Sequence, residues 1–397
     1  MKTILSIAWF IMAGISFVQA QGNAQSVTFA SGADVSWCTE MEADGKKFYN
    51  ESGQETEMMA LLKQIGMNAV RLRVWVNPEN DYGPWCDKAD VLAKARRAQA
   101  QGLALMIDFH YSDRFTDPSQ QIKPAAWNGY NMEQLKKAVA DHTTDVLSAL
   151  KAEGIEPLWV QVGNETRPGM IFNEGKIDWN KSGSAAWSGY IALSNAGYDA
   201  VKQVFPNATV IVHIDRAPED NAWFYNSFKQ YGGKFDMIGL SHYPDWDNWS
   251  SDNTKTANNI QTLYNTFKVP VMIVETGYSS WDEARAKNVM DDLFAKTKKL
   301  SACAGIFFWE PEVYGSWKPA AYTKWKWNAY DKGAFKSNGR PSTALSAFRM
   351  ETSGIRQLTS STIATMQYNL QGQKVGDSAK GIIIQKQGNT LRKILRK

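Results

Sequence analysis

Cysteine and histidine are scarce in this chain of 397 residues, at three and four copies. Three cysteines cannot staple a disulfide scaffold, and they leave at least one thiol unpaired. Cys303 falls within an apolar strand, as an inert core thiol would, while a disulfide between the loop residues Cys38 and Cys86 stays open. No H-E-x-x-H pair, G-x-S-x-G elbow or Walker loop occurs, so zinc-protease, serine-hydrolase and P-loop chemistries lack their parts. His110 and Asp113 alone are too few to specify a metal. A net positive charge is missing from the body as well. Eight of the 44 Lys and Arg but only two of the 40 acids follow Met350, so the tail carries +6 and residues 1–350 carry −2. A body of that charge offers no platform for nucleic acid.

Aromatic residues are plentiful, with 16 Trp and 15 Tyr. Flat rings with a polar handle suit both a core and a surface that stacks on extended ligands. At the N-terminus, Lys2 precedes an apolar run from Ile4 to Val18, and Val18-Gln19-Ala20 offers a small-residue cleavage site before Gln21. Residues 1–20 are therefore read as a signal peptide, and the protein as exported to the periplasm, the cell surface or the medium. No other segment is apolar enough to span a membrane.

From there the chain alternates short apolar runs with helix-length amphipathic segments. Strands are expected at Val27–Val35, Ala69–Trp75, Ala104–Phe109, Leu158–Val162, Thr209–Ile214, Met237–Ser241, Val271–Glu275 and Gly305–Trp309. Helical patterns include Glu55–Ile65, Ala89–Gln101, Met132–Glu153, Ala185–Val204 and Ala284–Leu300. Eight such repeats predict an α/β fold, a closed (β/α)8 barrel over residues 21–350. The open doubly wound alternative wants a Gly-rich phosphate turn after its first strand, and 31-SGADVSW-37 is not one. Residues 351–365 are rich in Ser and Thr and read as a linker. Residues 366–397 read as a small β module or sorting-type tail.

In such a barrel, polar residues at the carboxyl ends of the strands mark the site. The sequence places there Asp34, Arg71 and Arg73, Asp108 and His110, Asn164 and Glu165, His213 and Asp215, His242 and Tyr243, Glu275, and Trp309. Glu165 and Glu275 end the fourth and seventh strands, where two carboxylates can converge on one point. A pair of that kind is what glycoside hydrolysis requires, one protonated to serve the leaving oxygen and one ionised to attack. Asn164 could bind a sugar 2-OH, Arg73 could hold Glu275 ionised, Tyr243 could donate to it, and Trp309 could lie under a sugar ring. Arg71 and Asp108 are expected as a structural ion pair. Trp37, Trp85, Trp127, Trp246, Trp249 and Trp317 are candidate stacking platforms.

The stretches 32-GADVSW-37, 71-RLRVWVNP-78, 107-IDFHYSD-113, 123-KPAAW-127, 161-QVGNETRPGM-170 and 274-VETGYS-279 resemble those of the endo-β-1,4-galactanases of glycoside hydrolase family 53. The resemblance runs from about Phe29 to Phe348. It implies endo-acting, retaining cleavage of β-1,4 bonds between galactoses in galactan and type I arabinogalactan, with Glu165 as acid/base and Glu275 as nucleophile. It further implies sugar-binding roles for Arg73, His110, Asn164, His242, Tyr243 and Trp309. Asp34, at the end of the first strand, is a further substrate-binding candidate, and a monomer without cofactor is expected. Another β-1,4 polysaccharide such as mannan is the alternative substrate, and a non-catalytic glycan-binding barrel the alternative outside enzymes. Some bacterial members hold calcium in the loop after strand eight. Here 310-EPEVYGSWKPAAYTKWKWNAY-330 has few acids, so no metal is expected. The tail resembles C-terminal modules of exported Bacteroidota proteins.

Overall fold

A computed structural model describes residues 28–78 and 83–349, together with the backbone of four later strands. Eight parallel strands close into a barrel in sequence order: β1 (Ala30–Asp34), β2 (Ala69–Val74), β3 (Ala104–Phe109), β4 (Trp159–Val162), β5 (Thr209–Ile214), β6 (Met237–His242), β7 (Val271–Thr276) and β8 (Cys303–Trp309). Closure is made by β1 on β8, with Ala30 opposite Gly305 and Asp34 opposite Trp309. Two of the expected strands, Ala104–Phe109 and Thr209–Ile214, coincide with these, and the others differ by one to three residues at one or both ends. The helices between them are α1 (Met58–Ile65), α2 (Lys88–Ala100), α3 (Met132–Ala152), α4 (Ser184–Val204), α5 (Ala222–Gln230), α6 (Trp249–Phe267) and α7 (Glu283–Thr297). Shorter helical turns at Cys38–Ala43 and Ala320–Lys324 lie in loops.

Several helix starts are written into the sequence. Asn131 and Gln134 form a reciprocal capping box at α3, and Asp87 and Asp282 accept the first free N–H groups of α2 and α7. Helix α1 begins at Met58 rather than Glu55, because Glu57 is its N-cap and accepts from Ala60 N at 2.8 Å. Among the described residues, no long helix follows β8. A 3-10 turn at Thr343–Phe348 takes its place. Phe348 packs on Phe294 of α7 and Phe308 of β8 (ring centroids 4.7 and 5.8 Å), and its carbonyl accepts from Ser31 Oγ at 2.7 Å.

The alternation of strand side chains divides the core in two. One set, including Val70, Leu72, Val160, Val212 and Ile273, faces the helices. The other fills the barrel floor with Ala30, Ala69, Ala104, Met106, Trp159, Ile211, Met237, Met272, Val274 and Phe307. Above that plug, in register with it, sit Asp34, Arg71, Arg73 and Asp108, all fully buried. The disulfide left open between Cys38 and Cys86 is not formed; both are free buried thiols, as is Cys303. Four further strands, β9 (Met366–Tyr368), β10 (Lys374–Val375), β11 (Gly381–Gln387) and β12 (Thr390–Arg396), form an antiparallel sheet in the order β10-β9-β11-β12. The proposed leader 1–20 and linker 351–365 lie outside the described residues.

The floor tolerates no added volume at β1. A Cβ on Gly32 would stand 2.6 Å from the Phe307 ring and 2.7 Å from the Ala69 carbonyl oxygen, and the backbone carbonyl has nowhere to go. Gly32→Ala is expected to cost about 1–3 kcal/mol, read as a lower urea midpoint at unchanged slope. An unchanged midpoint would show that the floor is looser than this packing.

Candidate active site

Two backbone irregularities bring the paired glutamates to the barrel mouth. Strand β4 ends at Gly163, whose φ of +81° and lack of a Cβ are both needed, since a Cβ would meet Thr166 Cγ2 at 2.5 Å. Two residues later Glu165 is itself left-handed, with φ +49°, a conformation that costs an ordinary residue about 1–2 kcal/mol. The chain is then recaptured by β5, where Thr166 N donates to His213 O at 2.8 Å. In β7 the device is a bulge. Ile273 pairs with Leu240 but Glu275 pairs with Ser241, so Val274 is an extra residue. Strict alternation would set Glu275 beside Val271 and Ile273 on the helix face. The bulge turns it inward after Val274, as bulges near active sites do.

Glu165 and Glu275 line one cavity of about 380 Å³ together with His110, Asn164, Tyr243 and Trp309. Its remaining walls come from two loops. The β3 loop supplies Phe115, Thr116, Asp117 and Gln120, and the long β8 loop supplies Tyr322, Trp327, Tyr330 and Lys332.

Beneath the cavity Arg71 is the hub. Its guanidinium contacts Asp34 at 2.6 Å, Asp108 at 2.8 Å and Glu275 at 2.9 Å, and donates to Asn164 Oδ1 at 2.8 Å. Tyr243 OH donates to the other Glu275 oxygen at 3.1 Å. The expectation that Arg73 holds Glu275 is therefore corrected: the cation is Arg71. Arg73 lies one pleat further along β2, ion-paired with Glu310 and 3.8 Å from Asp34. It is enclosed by the rings of Trp37, Trp75, Phe115 and Trp309, at 5.1, 5.4, 4.7 and 5.9 Å. Asp34 and Arg73 thus sit under the cavity rather than in its wall.

The two glutamates have unlike surroundings. Burial and the facing Glu275 charge push the Glu165 carboxyl well above the usual carboxylate range, and a hydrogen bond with Ser241 offsets this only in part. Glu275 is also raised by burial, to about 7, but Arg71 pulls against that rise and Tyr243 stabilises the charge. The pair does not ionise together, and the first proton leaves Glu275. Burial works against Asp108 too, yet Arg71 and His110 hold it below the usual range.

The three histidines at strand ends fall into three roles. In His110, Nδ1 accepts from Thr116 N at 3.1 Å and Nε2 lies 2.9 Å from Asp108, so the ring is the Nε2–H tautomer and both nitrogens are already engaged. It offers the cavity a ring edge rather than a free donor. Burial and the Arg71 charge keep His213 neutral. Its Nε2 meets Ser241 Oγ at 2.8 Å, and its Nδ1 accepts from Glu165 N at 3.3 Å. His242, expected at the sugar site, points the other way. It is fully buried between β6 and α6, bound to Asn253 Oδ1 at 2.7 Å and Thr256 Oγ1 at 3.1 Å, because adjacent strand residues face opposite sides and Ser241 takes the inner one.

Of the ring platforms, Trp37, Trp127 and Trp317 are core. Trp246 is exposed, but Tyr278 stacks on it and Arg285 lies 4.2 Å above its ring. Asp215 serves Arg167, at 2.6 Å. Sequence reasoning passed over Gln161, which donates to Asp108 at 2.5 Å and Asn164 at 3.1 Å, and Ser241 beside Glu165. Both were visible as polar residues inside apolar strands. The cavity walls from the two loops carried a weaker signal, the ring density of 325-WKWNAY-330. Among the described residues no three His, Cys, Asp or Glu side chains are grouped as metal ligands.

The model of glycosyl hydrolase family 53 matches residues 30–348. An arabinogalactan endo-β-1,4-galactanase of Cellvibrio japonicus is 35% identical over 283 residues, 70% of this chain and 72% of that one. An endo-β-1,4-galactanase of Bacillus subtilis is 31% identical over 315 residues, 71% and 70%. Among solved structures, one from a study of two fungal β-1,4-galactanases superposes with a TM-score of 0.69 at 26% identity, over 82% of this chain and 99% of that one. The family 53 catalytic domain of Ignisphaera aggregans gives 0.69 at 28%, over 82% and 97%.

Burial drives the His242 pKa down to about 4. A folded value below the unfolded one, near 6.5, means that its contribution is complete above pH 6.5 and is lost as pH falls toward 4. The loss should approach about 3 kcal/mol. Urea titrations at pH 7, 6, 5 and 4 should show wild type weakening on acidification relative to His242→Gln. A pH-independent difference would mean that His242 is not held neutral.

Proposed function

This chain belongs to glycosyl hydrolase family 53, and from that membership we propose that it cleaves internal β-1,4-galactosidic bonds of galactan and type I arabinogalactan with retention of configuration. The observation that carries the mechanism is the unlike setting of the two glutamates in one cavity. The choice of galactan is supported by the two galactanase relatives.

In the first step Glu275 attacks the anomeric carbon as the glycosidic C–O bond breaks, and Glu165 gives its proton to the departing oxygen. A covalent glycosyl–enzyme results. Water then attacks the same carbon, Glu165 takes its proton, and the bond to Glu275 is released. Arg71 and Tyr243 keep Glu275 the easier of the pair to ionise. As the first step proceeds, Glu275 loses its charge, and with it goes the repulsion that held the proton on Glu165. The pKa of Glu165 falls when it must act as an acid and leaves it a base for the second step. Asn164 is fixed by Arg71 and by donation to Thr116 O at 2.8 Å, poised for a sugar hydroxyl. Trp309, Tyr243 and His110 supply the remaining wall. Export of a monomer through the leader 1–20 is part of the proposal, supported by the Ile4–Val18 run and the Val18-Gln19-Ala20 site. A mature N-terminus other than Gln21 would count against it.

Glu275→Gln should lose at least about 10⁴ in kcat while still binding galacto-oligosaccharides; near wild-type turnover would sink the assignment. Glu165→Gln should lose about 10²–10⁴ on galactan, spare the first step on aryl galactosides with good leaving groups, and lack the alkaline limb of the pH profile. Proton NMR of the first-formed product should show the β-anomer, and an α-anomer would exclude retention. Release of oligosaccharides from mannan or xylan in preference to galactan would replace the substrate but not the chemistry.

A further inference from the structure

Two glutamates that the mechanism does not use, Glu310 and Glu312, lie just beyond β8 and are fully buried. Burial raises the Glu310 carboxyl above the usual range, but Arg73 pulls against that rise, and Glu310 is the better placed of the two to carry charge. One oxygen faces Arg73 and the other accepts from Trp37 N at 3.1 Å. Its backbone is held left-handed, at φ +47°, a cost the chain bears only where the surroundings impose it. Glu312 is the opposite case. No N–H or hydroxyl group of another residue donates to its oxygens; only its own backbone N–H approaches them, and its side-chain partner is the Glu310 carboxyl group.

A buried carboxylate with no cation and no donor from another residue, and with a second carboxylate in contact, is not a stable arrangement, since like charges at that range cannot both persist away from water. One proton must lie between the two oxygens. Glu310 already accepts on both sides, so the proton belongs to Glu312, which becomes a donor. Burial and the neighbouring Glu310 push its carboxyl well above the usual range. The surrounding titratable groups agree. Asp34, Glu40, Tyr322 and Tyr330 approach Glu310 from β1, the Cys38–Ala43 turn and the β8 loop. The Cys38 thiol approaches Glu312, and the Cys86 thiol lies near Glu310 and Arg73. Arg73 is the cation among them, and Glu310 and Asp34 share it.

We propose that Glu312 is a positioning residue for substrate binding, its carboxyl group donating to Glu310 and so holding Glu310 on Arg73, the cation on which the cavity rings Phe115 and Trp309 are seated. The chain of contact is short. Phe115 lies 4.7 Å and Trp309 5.9 Å from the Arg73 guanidinium, and both rings form the cavity wall. A charged Glu312 would instead repel Glu310 and compete with it for Arg73, and so release that wall. Catalytic groups are not touched, so the effect falls on binding. The inference rests on reading this cavity as the sugar site, but its first test does not.

That test compares urea unfolding of wild type and Glu312→Gln from pH 5 to 8. Unfolding of wild type releases the Glu312 proton, and the amide has none to release. The ratio of the two unfolding constants, wild type over variant, should therefore rise by up to about tenfold per pH unit. A ratio flat in pH means Glu312 is ionised in the fold and overturns the proposal. The second test is kinetic, on galacto-oligosaccharides. Glu312→Leu, which cannot donate, should raise KM several-fold with kcat within about twofold, and Glu312→Gln should restore KM. Equal KM values for all three proteins overturn the positioning role. Should Glu312→Leu not fold, the wild-type KM should climb above pH 8 while that of Glu312→Gln stays level, and parallel profiles overturn it equally. If the protein turns over no galactan at all, the assigned substrate fails while the unfolding ratio still decides where the proton resides.

Discussion

Arg71 is a cation with no access to water, set in the middle of a parallel barrel. Desolvating a guanidinium costs several kcal/mol unless its charge is met, and here its two terminal nitrogens are met by Asp34, Asp108, Asn164 and Glu275 at 2.6–2.9 Å, with Nε alone left without a partner. The dependence runs both ways. Three carboxylates packed into the same volume would repel one another without the cation, and the cation would be intolerable without them. Lysine could not replace it, because a single ammonium lacks the planar fork that reaches several acceptors at once. Everything above the barrel floor is arranged around that mutual requirement, including which glutamate of the pair carries charge.

The same requirement explains why the site is preorganised. Glu275 is held on both oxygens, by Arg71 and Tyr243. Glu165 makes no ion pair among the described residues and instead faces Ser241, which His213 in turn orients. Two chemically identical side chains thus differ in their hold on a proton through their neighbours alone, as the proposed division into acid and nucleophile requires. The backbone contributes its share through the left-handed Glu165 and the extra residue in β7. Arg73 and Glu310 repeat the motif on one side, with aromatic rings in place of further acids.

Much of this was legible in the residues. Eight apolar runs at regular spacing predicted the eight strands, because a strand buried on both faces has to be apolar along its length. Glu165 and Glu275 stood out as acids at the ends of such runs. Counting faces was harder. An alternation of two gives Glu275 the wrong side, since a bulge is a property of pairing with β6 and β8 rather than of the strand itself. His242 and Ser241 adjoin, and only the register decided that Ser241 enters the barrel. Arg71 and Arg73 both enter it, two residues apart on one face, so no periodicity could say which one reaches β7.

The chain by itself therefore determined the barrel, the family and the two glutamates, because hydrophobic period, strand-end acids and motif order are local quantities. Tertiary structure alone decided that Arg71 rather than Arg73 sets the charge of Glu275, that His242 belongs to the helix layer, and that Cys38 and Cys86 stay thiols. It also brought Glu310 and Glu312 together under the cavity. Those outcomes depend on distances between segments up to a few hundred residues apart. Electrostatic energy at short range in a dry interior changes too steeply with distance for sequence spacing to stand in for it.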